Sequence, residues 1–110
     1  MDTNRLPLQR GKALVLGRGR DCDVQIDHGS VSRHHARIVC NEDGWLIEDL
    51  ASTHGVSIND TYIVGLSRLR DTDLIQIGFV FLRFVTTDDD VFDSDPGDSG
   101  SGAPLLVSIN

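Results

Sequence analysis

The feature that most constrains the fold of this chain is a series of short apolar stretches in which apolar residues recur at every second position. Val24 and Ile26 form one such pair, and Trp45 and Ile47 form another. Period-two alternation is typical of strands that bury one face, and no segment sustains a helical i, i+3, i+4 stripe over three turns. Many short strands without helices predict an all-β fold, an antiparallel β-sandwich. The stretches are KALVLG (12–17), DVQID (23–27), HARIVC (35–40), GWLIEDL (44–50), GVSIN (55–59), DLIQIG (73–78) and FVFLRFV (79–85).

Turn residues and charge divide the chain. NEDG at 41–44 and IND at 58–60 predict hairpin turns. The 110 residues suffice for one cored domain, which we place at residues 1–86. Residues 87–110 are predicted to form an Asp/Ser/Gly-rich flexible tail or linker, because 87–103 offer few groups that could bury surface. The final APLLVSIN is apolar again, and either begins a further segment or docks back as a strand.

Composition narrows the class of protein. The longest apolar run, 75–85, is broken by Gln76 and Arg83, and the N-terminus lacks the apolar segment of a signal peptide, so we expect a cytoplasmic protein without a membrane partner. The net charge is −7, most of it in the tail, and we expect no nucleic-acid partner. Cys22 and Cys40 lack CxxC spacing and are interpreted as buried or idle thiols, and we expect no cofactor.

Three predicted loops concentrate hydrogen-bond donors. They are LGRGRDCD (16–23), SVSRHH (30–35) and DLASTHG (49–55), and in a sandwich such loops gather at an end of the strand frame. Pooled, they offer guanidinium, hydroxyl and imidazole groups, with only Asp21 and Asp23 close by to supply carboxylates. A phosphate group brings about two negative charges and three acceptor oxygens, which such donors satisfy. The inventory therefore indicates a phosphate site.

The same three segments resemble those of the forkhead-associated (FHA) domain, a β-sandwich that binds phosphothreonine. LGRGRDCDVQID, SVSRHHARI and DLASTHGVSIN follow in the family's order and spacing, LRDTDLIQIG is similar to its penultimate hairpin, and the similarity runs from about residue 12 to residue 85. The resemblance implies a phosphothreonine-dependent protein interaction module that captures a phosphorylated protein or peptide and is not an enzyme. The ligand loops would lie at one end of an FHA/SMAD-like sandwich.

The resemblance also implies roles for individual residues. Arg18 and Ser32 would grip the phosphate, Arg33 would add a second cation and Thr53 would contribute near the phosphothreonine. His54 stands where the family usually has an Asn whose amide holds the peptide backbone, and an imidazole offers a different hydrogen-bonding geometry. Structural support of the site would come from Gly17, His35 and Gly55.

Three alternatives stay open. The chain could be a phospho-independent interaction or oligomerisation module with vestigial phosphate loops. A hydrolase built on Ser32 and His35 would lack an evident third catalytic group. A metal site drawing on His34, His35, His54 and Cys22 or Cys40 is disfavoured, because adjacent residues in a strand point to opposite faces, and we expect no bound metal.

The start of the tail carries one further hypothesis. Thr86 and Thr87 precede Asp88, Asp89 and Asp90, an acidic context in which a kinase could phosphorylate them. A phosphorylated tail could then enter the chain's own site or a neighbour's, giving self-association.

Overall fold

Eleven strands form two sheets packed face to face in the computed structural model, which describes residues 5–8, 11–42, 44–86 and 104–108. One sheet has six strands in the order β1-β11-β10-β9-β6-β7, and the other has five in the order β3-β2-β4-β5-β8. The strands are β1 (Arg5–Pro7), β2 (Leu14–Gly17), β3 (Val24–Gln25), β4 (Ala36–Asn41), β5 (Gly44–Asp49), β6 (Val56–Ile58), β7 (Thr61–Tyr62), β8 (Leu66–Arg68), β9 (Leu74–Ile77), β10 (Val80–Val85) and β11 (Leu105–Ser108). The described residues contain no helix, which confirms the predicted all-β sandwich.

The period-two pattern becomes the buried face of each sheet. On β4 the alternate residues Ala36 and Ile38 are fully buried, and on β10 Leu82 and Phe84 are buried while Arg83 between them is partly exposed. Trp45 belongs to the core, as its sequence context indicates, and its ring lies 6.4 Å from that of Phe84 across the two sheets. All seven predicted stretches contain a strand, because alternation reports burial of one face directly.

Three strands were not predicted from the sequence. They are β1, β7 and β8, which are two or three residues long and follow no clear alternation. One pairing also departs from the antiparallel expectation, since β3 runs parallel to β2 with Leu16 opposite Val24. β3 is a two-residue edge strand, and the loop before it turns the chain back along β2 instead of forming a hairpin.

The apolar C-terminal stretch docks back onto the sandwich. β11 pairs antiparallel with β10, Val85 opposite Leu105, and with β1 on its other side. Leu106 is buried in the core and Leu8 donates its N–H to the Pro104 carbonyl at 2.9 Å. Residues 104–108 thus belong to the sheet, whereas residues 87–103 lie outside the described residues. The division of the chain into a domain at 1–86 and a tail at 87–110 stays a prediction.

Both predicted hairpin turns are found. β4 and β5 pair down to Asn41 opposite Gly44, and β6 and β7 pair at Ile58 opposite Thr61. Asn59 and Asp60, between β6 and β7, have φ of 51° and 73°, the pair of positive values that a type I′ turn requires. Within the part of the chain that the structure describes, no helix could span a membrane.

Candidate functional site

Three loops meet at one end of the sandwich and enclose an open cavity of about 320 Å³. Loop A is residues 18–23 between β2 and β3, loop B is residues 26–35 between β3 and β4, and loop C is residues 50–55 between β5 and β6. The structure brings together all five residues predicted to bind the ligand. The cavity is lined by Arg18, Gly29, Ser30, Val31, Ser32, Arg33, Thr53 and His54.

Loop A is held against loop B by main-chain hydrogen bonds. The Arg18 N–H donates to the Ser32 carbonyl at 2.9 Å, and the Gly19 N–H donates to the Arg33 carbonyl at 3.1 Å. Gly17 makes this approach feasible, because a Cβ on it would lie 2.1 Å from the Arg33 carbonyl oxygen. The two loops therefore depend on a residue without a side chain at position 17.

Arg18 is fixed at one nitrogen and open at the others. Its Nε donates to the Val31 carbonyl at 2.9 Å, which fixes the direction of the guanidinium on the cavity wall. Among the described residues no partner is found for its two terminal nitrogens. They are the pair of parallel donors that a planar guanidinium presents to a phosphate.

His35 connects loop B to loop C from inside the protein. The side chain is fully buried, its Nδ1 accepts the Ser32 N–H at 3.0 Å, and its Nε2 lies 2.8 Å from the Gly55 carbonyl oxygen. Because Nδ1 is an acceptor, the ring proton must sit on Nε2 and be donated to Gly55. The imidazole thus spans the two loops, in the position expected of a supporting residue.

The Ser32 hydroxyl faces the cavity with its hydrogen available. Its Oγ accepts the Thr53 N–H at 3.0 Å, a second connection between loops B and C. The hydroxyl hydrogen has no acceptor among the described residues and can be donated to a ligand. Ser32 and Thr53 are consequently positioned as one unit.

Loop C is shaped by its own side chains. The Ser52 hydroxyl donates to the Asp49 carboxylate and accepts the Gly55 N–H at 2.8 Å. Gly55 has φ of +77°, and a Cβ there would lie 3.1 Å from the Tyr62 ring. Both the backbone conformation and the space favour glycine at this position.

Ser30 lines the cavity and contacts Phe79, a residue outside the lining that the sequence did not connect with the site. Ser30 is buried, and its Oγ accepts the Phe79 N–H at 2.8 Å from the turn between β9 and β10. The Phe79 ring is 60% exposed and lies 5.3 Å from the His54 ring and 6.3 Å from the His28 ring. Ser30 and Phe79 are 49 residues apart, and no local pattern signals such a contact.

The electrostatics of the cavity favour an anion. Its lining holds the cations of Arg18 and Arg33 and no carboxylate. Asp21, on loop A, pairs instead with His34 at 2.8 Å, and this hydrogen bond holds the pKa of the Asp21 carboxyl below its usual value. Of the two carboxylates on loop A, the one nearer to Arg18 in the sequence is thus engaged outside the cavity.

The histidines proposed as metal ligands do not come together. His35 is buried between loops B and C, His54 lies against Phe79, and His34 pairs with Asp21. The Cys22 thiol donates a hydrogen bond to the Arg33 carbonyl at 3.0 Å, and Cys40 lies on β4. Both thiols are free and half-buried.

Comparison with known proteins gives a consistent result. The family model for the FHA domain matches residues 14–78. The transcriptional regulatory protein EmbR of Mycobacterium tuberculosis is 41% identical over 71 residues, which cover 64% of this chain and 18% of EmbR. The chain thus spans less than a fifth of the length of this relative.

Solved structures agree with the match. The crystal structure of the FHA domain of the CT664 protein from Chlamydia trachomatis has a TM-score of 0.64 at 28% identity, covering 72% of this chain and 89% of that one. M. tuberculosis EmbR in complex with a low-affinity phosphopeptide has a TM-score of 0.57 at 33% identity, covering 68% of this chain and 22% of that one.

Proposed function

The chain belongs to the FHA domain family, as its loops indicated, and from this membership we propose that it is a phosphothreonine-dependent protein interaction module. The observation that carries the proposal is the cavity of loops A, B and C, where five donor side chains from three separate segments converge without a carboxylate. EmbR, a relative, has been solved with a phosphopeptide. We infer the same class of ligand for this chain.

The roles follow from the contacts of each side chain. The two terminal nitrogens of Arg18 and the hydroxyl of Ser32 bind phosphate oxygens, since both have donors without a partner among the described residues. Arg33, exposed on the cavity rim, adds a second positive charge. Thr53 and His54 line the cavity from loop C, where Thr53 contributes near the phosphothreonine and His54 contacts the peptide backbone.

The site binds and does no chemistry. A Ser32/His35 hydrolase would need the imidazole to accept the hydroxyl proton, but Nδ1 accepts the Ser32 main-chain N–H and Nε2 is engaged by the Gly55 carbonyl. Both ring nitrogens are occupied by the frame of the site. This arrangement supports an interaction module over a catalyst.

The experiment compares three versions of one peptide with the full chain. A degenerate phosphothreonine library selects the sequence, which is then synthesised with phosphothreonine, phosphoserine and unmodified threonine and titrated calorimetrically. We expect the phosphothreonine peptide to bind much more tightly than the other two forms, or to be the one form that binds. Equal binding of the phosphorylated and unmodified forms, or no selection from the library, would contradict the proposal.

A pair of arginine variants places the binding in the cavity. Arg18→Ala is expected to weaken phosphopeptide binding by about 2 kcal/mol or more, because the phosphate charge loses its bidentate partner. Arg20→Ala is the matched control, since Arg20 is exposed on the same loop and does not line the cavity. Equal losses in the two variants would show a general charge effect and no defined site.

Self-association through a phosphorylated tail would require two copies. Thr86 follows β10, which starts beside the turn that contacts Ser30 and runs away from the cavity for roughly 17 Å. The Thr86 N–H is bound to the Asp71 carboxylate at 2.9 Å at that far end. A phosphate on Thr86 would therefore enter the cavity of a second copy, and sedimentation of the phosphorylated chain against Thr86→Ala tests this. Thr87 lies outside the described residues.

One observation favours the alternative of a phospho-independent module. Tyr62 on β7, Val64 in the connection that follows and Leu66 on β8 are exposed at 71%, 90% and 51%. Such residues form contact surfaces in many interaction domains. A partner retained by Arg18→Ala but lost on Val64→Ser would assign its binding to this surface.

A further inference from the structure

Loops A and B carry a second cluster of chemically distinct side chains, on the side of these loops away from the cavity lining. Asp21, Cys22 and His34 each offer one ligand atom, and these atoms all lie within 4.8 Å of one another. None of the three lines the cavity. We propose that they form a binding site for a single zinc ion.

The ligand set fits zinc better than other common divalent cations. One thiolate, one imidazole and one carboxylate are the donors that Zn²⁺ takes in proteins, whereas Mg²⁺ and Ca²⁺ require oxygen ligands. Three protein ligands leave the fourth tetrahedral position for water. The site would thus be an open one, on exposed loops.

The spacing of the ligand atoms requires only small adjustments. Zinc bonds of 2.0–2.3 Å imply ligand atoms roughly 3.3 to 3.7 Å apart in a tetrahedron. The His34 Nε2 and Asp21 Oδ2 atoms are 2.8 Å apart, closer than this, and no pair in the cluster exceeds 4.8 Å. The two side chains are 47% and 62% exposed, so both are able to turn toward an ion.

Cys22 is the least mobile ligand. Its N–H donates to the Gly19 carbonyl at 3.1 Å in a turn, and its Sγ sits beside Gly17, where an added Cβ would lie 3.0 Å away. The thiol now donates to the Arg33 carbonyl at 3.0 Å. On zinc binding the thiol proton is released to solvent and the thiolate takes the metal, so the hydrogen bond to Arg33 is lost.

The surroundings of the thiol suit a cation. Asp21 is itself a ligand of the proposed site, and Asp23 follows Cys22 directly on the same loop. Two carboxylates this close to the thiol attract a divalent ion, which offsets their charge and that of the thiolate. One carboxylate oxygen of Asp23 accepts the Val15 N–H, which keeps this charge close to the site.

The ion would act on the phosphate site through Arg33, a consequence that rests on the proposed function. Arg33 lies beside the cluster, because its carbonyl accepts the Cys22 thiol at 3.0 Å and His34 follows it in the chain. Zinc bound to Asp21, Cys22 and His34 would link loop A to loop B next to Arg33 and so restrict the movement of the cavity rim. Phosphopeptide affinity should therefore rise with zinc, by about fivefold, and zinc affinity should rise equally with peptide.

The primary test uses cobalt(II) as a spectroscopic substitute for zinc, titrated into the reduced full chain without peptide. We expect one equivalent to bind with tetrahedral visible bands and a thiolate-to-cobalt charge-transfer band, both abolished by excess zinc. Cys22→Ser should remove the charge-transfer band, and Cys40→Ser, the matched control, should keep it. His34→Gln should weaken binding at least tenfold, whereas His28→Gln should not.

Folding and the two proposals can be separated. Zinc should raise the melting temperature of the wild-type chain and of Cys40→Ser but not of His34→Gln. Because His34 is exposed, His34→Gln should still fold, and its lack of response would reflect the lost ligand. A charge-transfer band that persists in Cys22→Ser, or none in the wild type, overturns the zinc site. If cobalt binds as expected and no phosphopeptide does, the zinc site stands and the proposed function fails.

Discussion

The two ends of the sandwich are held together by similar hydrogen bonds and differ in the donors that those bonds leave unpaired. At the far end, side chains bond to the backbone: Asp71 accepts the Thr86 N–H, Asp73 accepts the Arg70 N–H, and Arg83 donates to the Thr72 carbonyl. At the cavity end, Ser32 Oγ and the buried His35 imidazole also bond to the backbone, yet Arg18 and Ser32 keep donors for a ligand. The cavity end thus differs from the far end in the side-chain donors that it keeps available.

Replacing His35 tests this difference most severely. His35→Ala removes the acceptor of the Ser32 N–H and the donor to Gly55 and leaves a cavity in the core. We expect the free energy of unfolding to fall by about 3 kcal/mol, measured by urea denaturation. His34→Ala, the exposed neighbour, should change it by no more than about 0.5 kcal/mol. Similar effects in both would mean that the imidazole does not hold the loops.

Gly17→Ala tests the main-chain contact between loops A and B. The added methyl would meet the Arg33 carbonyl, so we expect a loss of stability of about 2 kcal/mol and weaker phosphopeptide binding. Gly29→Ala is the control for stability, since nothing lies within 4 Å of a Cβ there and its φ is not positive. If Gly17→Ala left both stability and phosphopeptide affinity unchanged, loops A and B could move apart without a loss of free energy.

Asp73→Ala addresses the far end. Its carboxylate accepts the Asn59 amide at 2.9 Å and the Arg70 N–H at 2.8 Å. We expect a loss of stability of about 1 kcal/mol with phosphopeptide affinity unchanged within twofold. Calorimetric titration beside thermal melting separates the two. A parallel loss of affinity would show that the ends are coupled.

His54 gives a smaller effect. Its imidazole lines the cavity and lies 5.3 Å from the Phe79 ring, so we expect His54→Ala to weaken phosphopeptide binding by about 0.5 kcal/mol through the loss of one hydrogen-bonding group. Calorimetric titration of wild type and His54→Ala measures the contribution. If the two proteins bind alike, His54 takes no part.

Asp21 gives the smallest effect. Its hydrogen bond with His34 holds its pKa below the ordinary 3.8. A carboxyl with a lower pKa in the folded state stabilises the fold above the unfolded-state pKa, and that contribution is lost as pH falls through the folded-state pKa. Asp21→Asn should therefore lower the melting temperature slightly near pH of about 6, and the difference should vanish in strong acid. A difference that persists there would need another cause.

Much of the fold could be predicted from alternation, because β10 buries every second residue and β4 and β5 each bury two residues spaced two apart. The edge strands β7 and β8 could not, since two or three residues carry no period and their pairing depends on partners elsewhere. β11 stayed ambiguous for a related reason: its place beside β10 depends on a pairing across about twenty residues of chain.

The site shows the same division. Arg18, Ser32 and Thr53 stand in short motifs whose order in the sequence suffices to find them, and the cavity unites them. Ser30 and Phe79 escaped notice because their contact joins distant segments. The cluster of Asp21 with His34 was hidden in a similar way, since the main-chain bonds that make loops A and B neighbours, at Arg18 and Gly19, join segments distant in the sequence.

The pairing of Val85 with Leu105 has a practical consequence. The chain that leaves β10 re-enters the sheet beside the point that it left, so a segment inserted there forms a closed loop. Each doubling of the length of such a loop costs only about 0.6 kcal/mol of closure free energy. A fluorescent protein or affinity handle grafted between residues 86 and 104 should leave phosphopeptide recognition intact. The molecule thereby offers an attachment point for reporters on the face turned away from its ligand.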